Sequence, residues 1–143
     1  MLLIDANLLI YAYHVESEAH PAAKAWFADT MSGADAVALP WQSILAFLRI
    51  TTHPRVFQRP MTMRTAQAIV ATWIDRPQVH LPEPGARYFE VLSNLLDSAR
   101  VRGALVTDAA LAALAIEQGA TLCTTDGDFA RFEGLRYVNP LRG

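Results

Sequence analysis

The sequence predicts an α/β fold in which helices cover both faces of a parallel β-sheet. Short apolar runs alternate with longer segments of helical apolar spacing along nearly the whole chain, a pattern typical of parallel sheets. The first run, residues 2–4, is continuous and apolar, as in strands that are buried on both faces. We therefore predict a three-layer α/β/α arrangement that forms a single domain over residues 1–143.

Five strands are expected where short apolar runs are bounded by turn residues. They fall at residues 2–4, 36–39, 79–81, 121–124 and 136–138. The second run ends at Pro40, and the third lies between Pro77 and Pro82. Proline cannot donate a backbone hydrogen bond to a neighbouring strand, so these residues limit the strands.

Six helices are predicted between these strands, at residues 7–13, 20–31, 41–52, 62–74, 87–100 and 107–118. Pro21 stands in a first turn, where its missing donor is harmless. Pro54 ends the third helix, because the residue before a proline leaves the helical region. Thr62 is a suitable N-cap for the fourth, and Gly119 is a typical stop for the last.

Composition limits the class of protein. The chain is 52% hydrophobic and 18% charged, which favours a globular fold over disorder. No apolar run approaches the ~18 residues of a membrane helix, and the N-terminus lacks the basic region of a signal peptide. The single cysteine, Cys123, excludes an intrachain disulfide and gives no zinc pattern. A cytoplasmic protein without a membrane partner is expected.

Four aspartates follow predicted strands or begin a helix that packs on the sheet: Asp5, Asp108, Asp126 and Asp128. Ligands of open α/β sheets lie beyond the carboxyl ends of the strands, so these side chains are expected to converge there. Clustered carboxylates repel one another, and an oxygen-only set favours Mg²⁺ or Mn²⁺. Each aspartate also has a purely structural interpretation, as a helix cap, a first-turn charge or a turn residue.

At these positions the chain resembles the PIN-domain ribonucleases of the VapC type, the toxins of bacterial toxin–antitoxin pairs. The matching motifs are Leu-Ile-Asp-Ala-Asn at 3–7, the Ala-rich run 108–115, and Thr-Thr-Asp-Gly-Asp-Phe at 124–129. The resemblance implies a sheet in the order 3-2-1-4-5, Mg²⁺-dependent RNA cleavage, a homodimer and inhibition by a small antitoxin. Asp5 and Asp108 would be metal ligands, and Asp126, with Asp128, would complete the acidic catalytic site.

One departure from the family concerns a glutamate that usually follows the second strand. The corresponding place is near Ala46 and Phe47, and the helix over residues 41–52 contains no acid. The site is therefore expected to have one ligand fewer. This leaves an alternative open, in which the chain is a catalytically weak or inactive module that binds RNA or a partner protein.

The predicted reaction is metal-assisted hydrolysis of an RNA phosphodiester bond. Asn7 and Thr125 are placed to orient the carboxylates by hydrogen bonds. No acid occurs between Asp35 and Asp75, and from this window we select Arg49 and Arg55 as phosphate-binding residues. Their structural alternative is a solvated helix face.

Two other enzyme classes also place an aspartate after a first strand. A phosphatase of the haloacid dehalogenase type needs a second aspartate two residues later, and Asn7 stands there. A receiver domain needs a lysine after a late strand, whereas the only lysine is Lys24. Both classes are disfavoured by these residues.

Overall fold

A five-stranded parallel sheet forms the middle of the molecule in a computed structural model that describes residues 1–142. The strands are β1 (Leu2–Ile4), β2 (Val37–Ala38), β3 (Val79–His80), β4 (Thr121–Cys123) and β5 (Tyr137–Val138). Their spatial order is β3-β2-β1-β4-β5, and every neighbouring pair is parallel. The predicted fold class and strand order are confirmed, although the strands after β1 are shorter than predicted.

Helices connect the strands. They are α1 (Ala6–Tyr11), α2 (His20–Ser32), α3 (Trp41–Thr51), α4 (Met63–Ile74), α5 (Tyr88–Ser98) and α6 (Leu105–Gln118), and a 3-10 helix spans Gly127–Arg131. Helix α6 begins two residues before the predicted Thr107, so Asp108 lies inside its first turn. The 3-10 helix was not predicted, because its Asp-Gly pair is typical of a simple turn.

Both faces of the sheet are buried, which explains the continuous apolar character of β1. Leu3 and Ile4 are each 0% exposed and belong to two different core clusters. The Ile4 cluster includes residues of α1 to α4, and the Leu3 cluster includes residues of α5 and α6. Successive side chains of a strand point to opposite faces, so helices on both sides are needed to bury them.

An aromatic group fills the core on the α1–α4 side. Phe47 is fully buried, and its ring lies edge-on to those of Tyr13 and Trp73 at centroid distances of 5.6 and 4.7 Å. Phe27 packs edge-on against the same two rings. This packing fixes the rotation of α3 about its axis, and thereby decides which of its residues face the end of β1.

No helix within residues 1–142 is both long and apolar enough to cross a membrane.

Candidate active site

Asp5 stands directly after β1 and has two structural roles. It is the N-cap of α1, where its Oδ1 accepts a hydrogen bond from the Ala6 amide at 2.8 Å. Its Oδ2 accepts a second hydrogen bond, from the Thr124 hydroxyl at 2.7 Å. The capping interpretation of Asp5 is therefore correct, and it is compatible with a chemical role because the carboxylate is held in a fixed orientation.

Thr124 connects three residues of the predicted site. Its hydroxyl, in a residue only 1% exposed, donates to Asp5 and accepts from the Asn7 amide at 3.3 Å and from the Asp126 backbone amide at 3.0 Å. Hydrogen bonding to the carboxylates was predicted for Thr125, but within residues 1–142 these bonds are made by its neighbour Thr124. The reason is register: Ile4 pairs with Cys123, so the next residues, Asp5 and Thr124, lie side by side.

Asn7 is brought to the same place through Thr124. Its Oδ1 is buried and has no hydrogen-bond partner within the described residues. An unpaired buried acceptor is costly and calls for an explanation. The atom lies beside a carboxylate cluster, where a bound cation or a water molecule would satisfy it.

Three carboxylates affect one another electrostatically. Burial raises the pKa of Asp5, and the negative charges of Asp108 and Asp126 raise it further, against the hydrogen bonds from Thr124 and Ala6. Burial also raises the pKa of Asp108, as do the charges of Asp126 and Asp128. Asp5 and Asp126 are joined through the Thr124 hydroxyl beyond the carboxyl ends of β1 and β4, and the charge of Asp108 acts on Asp5 from the first turn of α6.

Asp128 differs from the other three aspartates. Its side chain is 65% exposed and pairs with Arg131 across 3.9 Å, while its backbone amide donates to Asp126 Oδ1 at 2.9 Å. Its charge reaches Asp108, so it lies at the rim of the cluster. Within residues 1–142, no three His, Cys, Asp or Glu side chains are close enough together to form a complete metal site.

A crevice of about 600 Å³ opens beside Asp5. It is lined by Asp5, Ala6, Gln42, Ser43, Leu45, Ala46, Arg49 and Thr107. Two hydrogen bonds fix its α3 wall: Ser43 donates to the Ile4 carbonyl at 2.8 Å, and Gln42 donates to the Thr107 carbonyl at 2.9 Å. Sequence reasoning missed both residues, because their partners belong to distant segments.

The two arginines selected from the acid-free window lie in different places. Arg49 lines the crevice with Asp5. Arg55 is exposed and lies beyond the C-terminal end of α3, a helix of 11 residues and therefore roughly 15 Å long. Arg55 is not among the residues that line the crevice.

A comparison with protein-family models matches residues 2–135 to the PIN domain. The chain belongs to the PIN domain family. Ribonuclease VapC37 of Mycobacterium tuberculosis is 39% identical over 140 residues, which cover 98% of this chain and 97% of that protein. The resemblance inferred from the three sequence motifs is thereby confirmed.

Solved structures support the same fold. Mycobacterium tuberculosis VapC20, described as a sarcin-ricin loop cleaving toxin, aligns with a TM-score of 0.68 at 19% identity over 95% of this chain and 99% of its own. A chain of Rickettsia felis VapBC2 bound to a promoter DNA fragment aligns with a TM-score of 0.69 at 14% identity, covering 96% of each chain. At these identities the similarity shows the PIN fold alone.

The structure distinguishes the two positions near which the absent glutamate was expected. Ala46 lines the crevice beside Asp5, whereas Phe47 is fully buried in the aromatic core. Of the two positions that the sequence left open, Ala46 is the one that faces the acidic edge of this PIN domain.

Proposed function

We propose that this PIN domain is a divalent-metal-dependent endoribonuclease that acts in the cytoplasm as the toxin of a toxin–antitoxin pair. The observation that carries the proposal is the cluster of Asp5, Asp108 and Asp126, whose charges act on one another at the carboxyl edge of the sheet. The full-length similarity to a protein named as a ribonuclease supports it.

The donor set fits Mg²⁺ or Mn²⁺. Carboxylate oxygens are the ligands these ions prefer, and Mg²⁺ usually takes one or two carboxylates together with water and substrate phosphate. A cluster without a complete protein cage is consistent with that habit. The buried and unpartnered Oδ1 of Asn7 is further support, because Asn7 and Asp5 both bond to the Thr124 hydroxyl.

In this proposal Asp5, Asp108 and Asp126 would hold the ion together with water and substrate phosphate, because within residues 1–142 no three such side chains are arranged to hold it by themselves. A bound divalent cation supplies Lewis-acid activation of a phosphoryl oxygen and of the attacking water. Thr124 fixes the rotation of the Asp5 carboxylate and links it to Asn7 and Asp126. We retain Asp128 as a fourth acid of the site, acting from the rim through its charge on Asp108.

RNA would enter through the crevice beside Asp5. Arg49 lines that crevice and is placed to contact a phosphate as the strand passes α3. Arg55 would contact the backbone further along the strand, beyond the end of α3. Phosphate contacts of this kind position the strand without reading its sequence.

A small cognate antitoxin and a second copy of this chain are the proposed protein partners. The similarity to a chain of Rickettsia felis VapBC2 supports a partner of the antitoxin type. Analytical ultracentrifugation of the isolated chain would test the proposed homodimer, and a monomer at all concentrations would contradict it.

Cleavage of RNA with Mg²⁺ or Mn²⁺ tests the proposed activity. The wild type should cut, Asp5→Asn and Asp108→Asn should lose most of the activity, and EDTA should abolish it. Asp97→Asn is the matched control, because it makes the same change at an exposed position of α5. RNA binding without any metal-dependent cutting by the wild type would favour the alternative of a binding module.

A further inference from the structure

The 3-10 helix after β4 is held rigidly by two buried phenylalanines. Phe129 is 1% and Phe132 3% exposed, and both belong to the core cluster of α5 and α6. Their rings lie 5.9 Å apart. Arg131 stands between them in sequence, and its side chain is 36% exposed. Because Phe129 and Phe132 are both packed in the core, the backbone at Arg131 has little conformational freedom.

The guanidinium of Arg131 is oriented by Asp128. Its Nε donates to the Asp128 carbonyl at 3.1 Å, and its Nη2 lies 3.9 Å from the Asp128 carboxylate. The other donors of the guanidinium have no hydrogen-bond partner within residues 1–142. A planar group with one edge engaged and its terminal nitrogens available matches the bidentate geometry of phosphate binding.

The position of Arg131 relative to Asp5 follows from the strand order. Strand β1 lies between β2 and β4. Helix α3, with Arg49, follows β2, and the 3-10 helix, with Arg131, follows β4. The segments that carry the two arginines therefore follow strands on opposite sides of β1, the strand that ends before Asp5. Arg131 is also linked to the acidic cluster through Asp128, whose carbonyl accepts from Arg131 Nε and whose backbone amide donates to Asp126 Oδ1 at 2.9 Å.

Building on the proposed function, we propose that Arg131 binds a backbone phosphate of the RNA strand on the side of the acidic cluster opposite Arg49. An RNA strand that approaches three carboxylates meets repulsion, and a cation on each side offsets it. Arg131 lies outside the acid-free window and follows Asp128 by three residues. In the sequence these two residues therefore resemble an ordinary surface ion pair.

Binding of a fluorescently labelled single-stranded RNA oligonucleotide, in EDTA and over a series of salt concentrations, tests this proposal without requiring cleavage. Loss of one phosphate contact should reduce the slope of log affinity against log salt by about 0.7. Arg131→Gln should show that reduction and a severalfold weaker affinity at low salt. Arg131→Lys should keep the slope near that of the wild type, because it keeps the charge.

Arg87→Gln is the matched control. Arg87 forms an equivalent ion pair with Glu90, three residues later, at 4.0 Å. It is exposed and lies at the N-terminal end of α5. It should leave both slope and affinity unchanged. Thermal melts of each variant check the fold, and the comparison of Arg131→Lys with Arg131→Gln separates loss of charge from loss of packing.

Two results would overturn the inference in different ways. If the wild type binds RNA and Arg131→Gln has the same slope, Arg131 makes no phosphate contact, while the proposed ribonuclease function stands. If the wild type binds no RNA in EDTA at any salt concentration, the role of Arg131 fails; if it also cuts no RNA with Mg²⁺ or Mn²⁺, the proposed function fails as well.

Discussion

Replacing Ala46 or Phe47 by glutamate would insert the same carboxylate at two neighbouring positions of α3 with opposite surroundings. Ala46 lines the crevice beside Asp5, and Phe47 is fully buried against Tyr13 and Trp73. Ala46→Glu should therefore restore the acid that the PIN family usually has, and Phe47→Glu should disrupt the core. Comparing the two variants separates the effect of the added charge on metal binding from the effect of its position on stability.

The structural cost should be very different at the two positions. Removing a buried phenylalanine costs about 3–5 kcal/mol, and an unpaired buried carboxylate adds more. Because domains are stable by only about 5–15 kcal/mol, Phe47→Glu should lower the melting temperature by more than about 10 °C. Ala46→Glu loses only a few tenths of a kcal/mol of helix propensity, plus repulsion from Asp5.

The chemical gain should appear only at Ala46. An additional carboxylate near Asp5 should tighten Mn²⁺ or Mg²⁺ binding by about tenfold, which corresponds to about 1.4 kcal/mol. Calorimetric titration measures this directly, and added metal should also recover the melting temperature that repulsion lowers. Ala71→Glu, at an exposed position of α4, controls for the added charge. If Ala46→Glu folds normally and binds metal no better than Ala71→Glu, the metal site is not at this edge of the sheet.

Three further predictions concern charge, hydrogen bonding and close packing. Burial raises the pKa of Asp5, so the folded chain holds this proton more tightly than the unfolded chain, and the associated stability is lost as pH rises through the raised pKa. In metal-free buffer Asp5→Asn should thus melt a few degrees higher than the wild type at about pH 7. The difference in melting temperature should vanish as the pH falls toward 3.8, the ordinary pKa of an aspartate. Equal melting temperatures at neutral pH would show that the buried charge of Asp5 costs no stability. Thr124→Val removes a buried hydroxyl with three partners and should cost about 1–3 kcal/mol; it should also weaken metal binding by about 10- to 100-fold, and unchanged calorimetric affinity would refute its orienting role. A Cβ at Gly85 would lie 2.8 Å from Glu117 Oε2. The Glu117 carboxylate accepts backbone hydrogen bonds from the segment after β3, at Oε1 from Gly85 and at Oε2 from Arg87. Gly85→Ala should therefore destabilise the chain by about 1 kcal/mol, less so in a Glu117→Ala background that removes the contacted atoms, and additive effects of the two changes in denaturant melts would be inconsistent with this contact.

Much of the fold follows from local rules. The buried run 2–4 and the alternation of strands and helices predict a parallel sheet with two covered faces, and both core clusters confirm it. Asp5 and Asp126 were predictable because each follows a strand, and Asp108 because it stands in a first turn. These features depend only on the chain near each residue.

The missed residues depend on register and rotation instead. Thr124 rather than Thr125 contacts Asp5 because Ile4 pairs with Cys123, a choice that only the assembled sheet makes. Gln42 reaches the Thr107 carbonyl across a gap in sequence that no local pattern reports. The choice between Ala46 and Phe47 is made by the aromatic core, which takes Phe47 and leaves Ala46 at the crevice.

The pattern of charges along the sequence did not predict where each arginine lies relative to the crevice. The acid-free window contains both Arg49 and Arg55, yet only Arg49 lines the crevice. Arg131 lies outside the window, and its charge reaches Asp108. The acid-free window describes only the order of charges along the chain. The electrostatic field at the site depends on strand order, which brings the segments after β2 and β4 to the two sides of β1.

The absent glutamate changes the balance of charge that the site must manage. In the proposed function the crevice has to bind a cation and a polyanion at the same edge of the sheet. Ala46 removes one carboxylate from that edge, which weakens its hold on the cation and reduces its repulsion of RNA. In the proposed roles Arg49 and Arg131 would act in the same direction, because both would attract phosphate. Since Mg²⁺ commonly completes its shell with substrate phosphate oxygens, a phosphate drawn in by these arginines would provide an oxygen ligand where the chain itself has none.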